Sequence, residues 1–334
     1  MTPKILPGRR QFLLGISASA AATGLASTGF GSGKNETLPK QPPLPTILLG
    51  QHPVTRLIAG WNPIGGYSYL GRNMDRHMRE YFTVDRTVEF LLKCESEGIN
   101  AHQFDPTQDM VEVLRTVRES GSKMKFICLH SGGSRHGSPK EVVERTSPIA
   151  LAHHGGVTDK LFREGKANLV HDYVKQAHDL GVLAGVSAHN PDNIKRIADA
   201  GWENDFFMTC FYYVTRYNDH PEQYAEQKVV GKAFYAQDAK TMTNVARQVG
   251  KPCLGFKILA GGRAPMSRGG VKKAFSFAFE NLKPTDAVIV GMYPRFSDEV
   301  QENANLAREF ATAAVSYTHL RAHETKEEIS YSVF

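Results

Sequence analysis

The feature that most constrains the fold is a regular alternation of short apolar runs with segments of helical periodicity. Eight such runs occur, at residues 57–60, 99–104, 124–129, 148–153, 182–188, 205–212, 253–260 and 287–291. Runs of this kind, without strict polar alternation, are typical of parallel strands covered on both faces. Eight strands, each followed by a helix or a helix-sized gap, predict an α/β fold of the (β/α)8 TIM barrel type.

The segments between the runs support this interpretation. Their apolar spacing predicts helices over residues 84–97, 108–119, 167–180, 192–200, 239–249 and 298–314. Residues 45–49 and 54–58 predict a β-hairpin that closes the N-terminal end of the barrel. A doubly wound open sheet is the alternative fold, but it favours a glycine-rich phosphate loop after the first strand, and residues 62–66 (NPIGG) do not have that form.

The beginning of the chain is predicted to be an export signal. Arg9 and Arg10 precede the residues QFLL, and no charged residue occurs over 11–33. This pattern resembles a twin-arginine signal peptide, predicted over residues 1–26, and a linker follows over 27–44. We therefore expect the twin-arginine export machinery as a partner and a periplasmic or extracellular location. The apolar run is too short and weak for a comfortable membrane span, so none is expected in the mature chain.

The end of the chain is also predicted to lie outside the fold. Residues 315–334 resemble a translated transposon-end sequencing adapter, so we interpret them as a non-native tail. The predicted barrel then covers residues 45–314, and His319 and His323 belong to no site.

Charge and cysteine content limit the partners. The formal net charge is +6, and Lys4, Arg9 and Arg10 in the predicted signal supply three of these charges. No basic run occurs, which argues against nucleic acid and leaves a small molecule as the expected partner. The four cysteines are widely spaced and form no metal-binding motif, so we expect buried free thiols.

Several segments of the predicted barrel, taken in order, resemble the aldo/keto reductase superfamily. They are residues 57–60 (LIAG), 97–100 (EGIN), 185–187 (GVS), 190–191 (NP), 199–201 (DAG), 211–216 (FYYVTR), 290–291 (VG) and 297–304 (SDEVQENA). The resemblance implies a barrel with hydride-transfer chemistry at its mouth and an NAD(P) cofactor. It also implies cofactor contacts from Ser187, Glu302 and Asn303, with Arg295 available for a phosphate.

Three of the four catalytic positions of that family are not matched in this sequence. The family uses Asp, Tyr, Lys and His, and its Asp position is Gln103 here, while no tyrosine lies near its Tyr position at Gln108. Its Lys position is occupied by Leu129 and His130, so only the histidine is matched, by His153 or His154. A Tyr acid activated by a neighbouring Lys is the core of that chemistry. The resemblance therefore implies an altered mechanism.

Histidines follow three successive predicted strands, as His130, His153 with His154, and His189. In a TIM barrel the strand ends form the mouth that carries the active site. Three imidazoles in one cavity can hold a divalent metal such as Zn²⁺, with His130, His153 and His189 as the candidate ligands. They can equally act as acids and bases near neutral pH, or remain ordinary loop residues.

Other candidates lie at the same predicted mouth. Asp105 shares a strand face with Gln103, and Lys257 lies within an apolar run, where a lysine must be paired or have a shifted pKa. It can clamp an anionic or polar substrate, act as a base, form a Schiff base, or only make a salt bridge to Asp105. The loops add the candidate substrate contacts Asn62, Tyr67, Tyr212 and Arg216. Aromatic faces beside polar groups suit sugars or polyols, and they suit ordinary loop packing equally well.

Three functions remain open on the sequence. The first is an exported aldo/keto-reductase-like oxidoreductase acting on a small polar, carbohydrate-like substrate. The second is a metal-dependent sugar isomerase, lyase or hydrolase, and the third is a non-catalytic sugar-binding barrel. The expected catalytic residues are Gln103, Asp105, His130, His153, His154 and Lys257.

Overall fold

The computed structural model describes residues 41–132, 136–225, 231–264 and 268–311. Its strands are β1 (Thr46–Leu49), β2 (His52–Thr55), β3 (Leu57–Gly60), β4 (Ala101–Phe104), β5 (Lys125–His130), β6 (Ala150–His153), β7 (Leu183–Ala188), β8 (Phe206–Cys210), β9 (Cys253–Phe256) and β10 (Ala287–Gly291). Strands β3 to β10 close into one parallel barrel in which β10 pairs with β3. The predicted TIM barrel is therefore confirmed.

Helices separate most of the barrel strands. They are α1 (Arg72–Tyr81), α2 (Val84–Ser96), α3 (Gln108–Glu119), α4 (Pro139–Thr146), α5 (Gly155–Arg163), α6 (Ala167–Asp179), α7 (Pro191–Asp199), α8 (Arg216–Asp219), α9 (Ala236–Gln248), α10 (Arg268–Asn281) and α11 (299–311). Local sequence explains several of their starts. Ser138 forms a capping box with Glu141, and Asn190 caps α7 with Pro191 at its first position.

Four of the longer helices are absent from the sequence prediction, namely α1, α4, α5 and α10. Helix α1 buries no residue fully, but Met74, Met78 and Tyr81 pack against the core at i, i+4 and i+7, so this apolar stripe was a usable signal. Helix α5 begins with two glycines, which are poor helix formers. None of the described helices has the length and apolar character that crossing a membrane requires.

The predicted hairpin is present as β1 and β2, paired antiparallel. Ile47, Leu49 and Val54 bury their side chains against the apolar residues inside the barrel, which include Ile58. The hairpin therefore seals the end of the barrel where the strands begin.

Arg56 ties that closed end together from within the protein. Its guanidinium is almost fully buried and donates to the carbonyl oxygens of Asp286 at 2.9 Å, Ala311 at 2.8 Å and Lys283 at 3.0 Å. Burial lowers the pKa of Arg56 to about 10, although the negative charge of Asp286 acts to raise it. The arginine thus links β3 to the last strand and the last helix of the barrel.

Two other predictions concern the cysteines and the chain ends. All four cysteines are buried and free, as expected. The predicted signal peptide (1–26) and tail (315–334) lie outside the described residues, as does most of the predicted linker (27–44).

Candidate active site

Strand alternation decides which side chains reach the barrel mouth. Residues of β6 such as Ala150 and Ala152 pack inside the barrel, whereas Leu151 packs against the helices. Continuing this alternation, His154 faces the interior and His153 faces the helices. The same rule places Gln103 and Asp105 inside after β4, and Ser187 and His189 inside at the end of β7.

His130 and His153 therefore lie outside the interior of the mouth. The backbone N–H of Gly132 donates to His130 Nδ1 at 3.2 Å, and His130 Nε2 donates to the carbonyl of Gly137 at 3.0 Å. His153 Nδ1 donates to the hydroxyl oxygen of Thr158 at 2.8 Å. Burial is the main cause that lowers the pKa of His153 to about 3. Both imidazoles are neutral parts of the layer between strands and helices.

This placement corrects the expectation that His130, His153 and His189 share one metal-binding cavity. Neighbouring strands in register put the side chains of His130 and His153 on the outer face, while His189 faces inward. Within the described ranges, no three His, Cys, Asp or Glu side chains come together as metal ligands would.

A buried carboxylate holds His189 at the mouth. Asp159 on α5 accepts hydrogen bonds from the His189 backbone at 2.9 Å and from its ring Nδ1 at 3.0 Å. Asn193, Asn190 and Thr215 donate to the same carboxylate at 3.0 to 3.3 Å. Burial acts against the charged carboxylate, but the hydrogen bonds from His189 prevail and lower the pKa of Asp159. The arrangement fixes the proton on Nδ1 and leaves Nε2 of His189 for a substrate.

His154 is the inward-facing histidine of β6. It precedes α5 without capping it through its side chain, and its Nδ1 is buried with no hydrogen-bond partner among the described residues. Burial lowers its pKa to about 4, and His189, Lys257 and Lys232 act in the same direction. The ring is therefore neutral near pH 7, with a nitrogen available for a bound group.

Lys257 and Tyr69 meet at the mouth from distant parts of the chain. Lys257 is the first residue after β9, so the predicted strand over 253–260 ends at Phe256. Its Nζ lies 5.1 Å from the ring centroid of Tyr69 and 4.7 Å from that of Phe256, which is a cation–π position against both rings. Burial acts to lower the pKa of Lys257, but Tyr69, Cys210 and Asp105 raise it, so the ammonium stays charged.

Both residues of this pair have a backbone conformation in the left-handed region. Tyr69 has φ 58° and Lys257 has φ 59°. Such conformations disfavour side-chain-bearing residues, and they persist where the surrounding structure enforces them, which happens most at functional sites. Arg263 contributes by donating to the carbonyl of Tyr69 at 2.7 Å.

An aromatic wall continues from Tyr69 across the mouth. The ring of Phe234 lies 6.2 Å from that of Tyr69 and 5.1 Å from that of Tyr212, and the Arg263 guanidinium lies 4.5 Å from the Phe234 centroid. Tyr212 is thus part of the wall, as the sequence suggests. The side chains come from the loops after β3, β8 and β9.

The other expected substrate residues have different surroundings. Arg216 forms an ion pair with Asp238 and lies over the ring of Tyr235 at 4.6 Å, so its guanidinium serves the loop. The carbonyl of Asn62 accepts from the backbone of Tyr67 at 2.8 Å, and the Tyr67 side chain is 47% exposed at the rim.

The expected cofactor residues divide into a buried and an exposed group. Ser187 is buried beside His189, because a Cβ at Gly155 would lie 2.8 Å from Ser187 Oγ and 3.2 Å from His189 Cε1. Asn303 is also buried, while Glu302 is half-buried on α11 and Arg295 is exposed in the loop before it. The hydroxyl of Ser187 can hydrogen-bond a carboxamide, which is the group that the family resemblance assigns to this position.

The residues expected from the sequence do not include Tyr69, Asp159, Cys210, Lys232 or Phe234, which also shape this site. Tyr69 and Lys232 lie in irregular loops, whose course no periodicity encodes. Asp159 lies on the unpredicted α5, although its position five residues after the histidine pair is a usable signal. Cys210 lies at the end of β8, next to Lys257 in charge interaction.

The sequence matches no protein-family model, and no curated protein matches it significantly. Similar solved structures include a putative aldo-keto reductase from Pseudomonas aeruginosa, with 17% identity, a TM-score of 0.46 and coverage of 82% of this chain and 94% of that one. A glycerol dehydrogenase from Gluconobacter oxydans has 11% identity, a TM-score of 0.48 and coverage of 81% and 95%. A truncated 3-deoxy-D-arabino-heptulosonate 7-phosphate synthase from Thermotoga maritima has 14% identity, a TM-score of 0.47 and coverage of 82% and 94%.

Proposed function

We propose that this protein is an oxidoreductase of the aldo/keto reductase type that acts at the barrel mouth on a small polar, carbohydrate-like substrate. The observation that carries the proposal is the position of the Lys257 ammonium against the Tyr69 ring, 5.1 Å from its centroid. The sequence lacks a Tyr and a Lys at the positions where that family has them. In the fold, the same two residue types meet at the mouth from the loop after β3 and the end of β9.

The pair suits proton transfer to or from a carbonyl oxygen. A phenol at the mouth can exchange a proton with a carbonyl oxygen, which is general acid–base catalysis. The neutral His154 interacts electrostatically with Lys257 and His189, so its ring belongs to the same group of side chains. Asp105 interacts with Lys257 and helps to keep the ammonium charged.

A nicotinamide nucleotide, NAD or NADP, supplies or accepts the hydride in this chemistry when it is bound. Ser187 is the residue that would hold its carboxamide, because its hydroxyl is buried at the interior end of β7. Asn303, Glu302 and Arg295 would hold the distal part of the nucleotide. The role of the protein is to position both partners and to exclude water from the reacting centre.

The test compares two tyrosines of the same loop. Tyr69→Phe removes the proposed acid but keeps the ring, and Tyr67→Phe is the matched control at the exposed rim. In assays of nicotinamide-dependent oxidation of a panel of polyols and aldoses, Tyr69→Phe is expected to lower kcat about 10²- to 10³-fold. Lys257→Met should have a similar effect, and Tyr67→Phe should stay near wild type. Equal activity of the Tyr69 and Tyr67 variants would refute the assigned role.

A second candidate function rests on His189 and Asp159. An imidazole fixed by a fully buried carboxylate is suited to general base catalysis without any redox step, as in a sugar isomerase or lyase. Incubation with aldoses in D₂O without nicotinamide tests it, because proton abstraction next to a carbonyl places deuterium on carbon. Loss of that exchange in Asp159→Asn, with Tyr69→Phe still active, would favour this candidate over the oxidoreductase.

The proposal includes export by the twin-arginine route, which carries proteins that are already folded. The Arg9 and Arg10 pair supports it. Fractionation of cells that produce the full chain is expected to place it in the periplasm or medium, and Arg9→Lys with Arg10→Lys should retain it inside. Unchanged export of that double variant would contradict the route.

A further inference from the structure

Three cationic side chains line one side of the mouth. The Nζ atoms of Lys257 and Lys232 lie 5.1 Å and 5.4 Å from the ring centroid of Tyr69. Arg263 lies over Phe234 and donates to the backbone of Tyr69. Both ammonium groups therefore flank the residue that the proposed function makes the acid.

The carboxylates nearby have other partners. Asp159 is held by His189 and neighbouring amides, Asp238 pairs with Arg216, and Asp219 pairs with Arg163. Among the described residues, no carboxylate lies within salt-bridge distance of Lys232 or Lys257, although Asp105 acts on Lys257 from farther away.

The positive charge extends over the whole reactive part of the mouth. The charges of Lys257 and Lys232 both act to lower the pKa of His154 and that of His189. The imidazoles are neutral and cannot balance the lysines. A site with this excess charge favours a ligand that brings its own negative group.

We infer that the substrate carries a carboxylate, held by Lys232 and Arg263 beside the Tyr69–Lys257 pair. The chemical class is a hexuronate in its ring form, since the aromatic wall of Tyr69, Phe234 and Tyr212 suits a sugar ring. This inference rests on the proposed function in that it concerns the same mouth.

The test compares two sugars that differ only at C6. D-glucuronate has a carboxylate where D-glucose has a hydroxymethyl group, and calorimetry on the full chain measures binding of each without any turnover. We expect glucuronate to bind at least about tenfold more tightly, and added salt to reduce the difference. Lys232→Met should weaken glucuronate about fivefold and leave glucose unchanged. Lys123→Met, an exposed lysine at the opposite end of the barrel, is the control.

Each other outcome decides against the inference. It fails if the two sugars bind equally, if neither binds, or if Lys232→Met weakens both alike. It also fails if Lys232→Met weakens NADP⁺ and leaves glucuronate unchanged, because the cation would then serve a nucleotide phosphate. Selective binding of glucuronate without nicotinamide-dependent turnover would leave the carboxylate site standing and refute the oxidoreductase.

Discussion

Two buried histidines make the stability of this barrel sensitive to mild acid. His102 donates from Nδ1 to the carbonyl of Ala59 at 3.0 Å, and burial lowers its pKa to about 4. Burial also lowers the pKa of His153, to about 3. An imidazole in an unfolded chain has a pKa of about 6.5. Below that pH the unfolded chain binds protons that the folded protein does not, so acidification favours unfolding.

The size of the effect follows from the two pKa differences. At pH 5 an unfolded imidazole has gained about 1.5 × 1.36, or about 2 kcal/mol, of protonation free energy, and the folded ring has gained almost none. His102 and His153 together therefore remove about 4 kcal/mol of unfolding free energy between pH 7 and pH 5. The loss continues to about pH 4 for His102 and about pH 3 for His153, where the folded protein begins to bind the same proton.

Urea unfolding at pH 7 and pH 5 measures this directly. His102→Gln and His153→Gln each remove one titrating ring, so each should reduce the loss of unfolding free energy between the two pH values by about 2 kcal/mol. The double variant should reduce it by about 4 kcal/mol. Any cost of the substitution itself is present at both pH values and cancels in the difference. Variants with the same pH dependence as wild type would refute the reasoning.

Two further predictions concern packing. Arg56→Ala removes the guanidinium donor from the buried carbonyls of Asp286 and Ala311 and one of two donors to the carbonyl of Lys283, so it should lower the unfolding free energy by about 3–5 kcal/mol in urea titrations. Arg115→Ala, which breaks an exposed ion pair, should stay within about 1 kcal/mol of wild type. Gly155→Ala places a methyl group 2.8 Å from Ser187 Oγ and 3.2 Å from the His189 ring, so both must move. We expect a lower melting temperature by circular dichroism and weaker sugar binding, and unchanged values in both assays would contradict the close approach.

The barrel could be predicted because the local sequence of each strand is enough to recognise it. A strand such as Ala287–Gly291 is a short apolar run that is buried on both faces, and its pattern needs no knowledge of its neighbours. The hairpin could be predicted for the same reason. Helix α1 was not predicted because its stripe of Met74, Met78 and Tyr81 is only half-buried and lies among seven polar or charged residues.

The predicted metal site was wrong because the position of a residue at a strand end does not tell which face of the sheet its side chain takes. His130, His153 and His189 all follow or end barrel strands, and the sequence places them at the mouth. Alternation then separates them, since consecutive residues such as His153 and His154 face opposite sides of the sheet. A shift of one residue in the assumed strand phase decides whether a histidine meets the substrate or packs beneath a helix, and short apolar runs do not reveal that phase.

Matching this sequence to the catalytic positions of the aldo/keto reductases did not pair Tyr69 with Lys257, and the reason lies in the topology. A closed barrel has no first or last strand at its mouth, because β10 pairs with both β3 and β9. The loop after β3 and the end of β9 are therefore separated by a single strand, although they lie near opposite ends of the sequence. The family's catalytic positions lie on the strands that follow β3 in the sequence. A search at those positions does not reach β10 and β9, which neighbour β3 in the opposite direction around the barrel. The same physical pair can be supplied from either direction around the ring, so the residue types that surround the mouth are a better guide to its chemistry than their order along the chain.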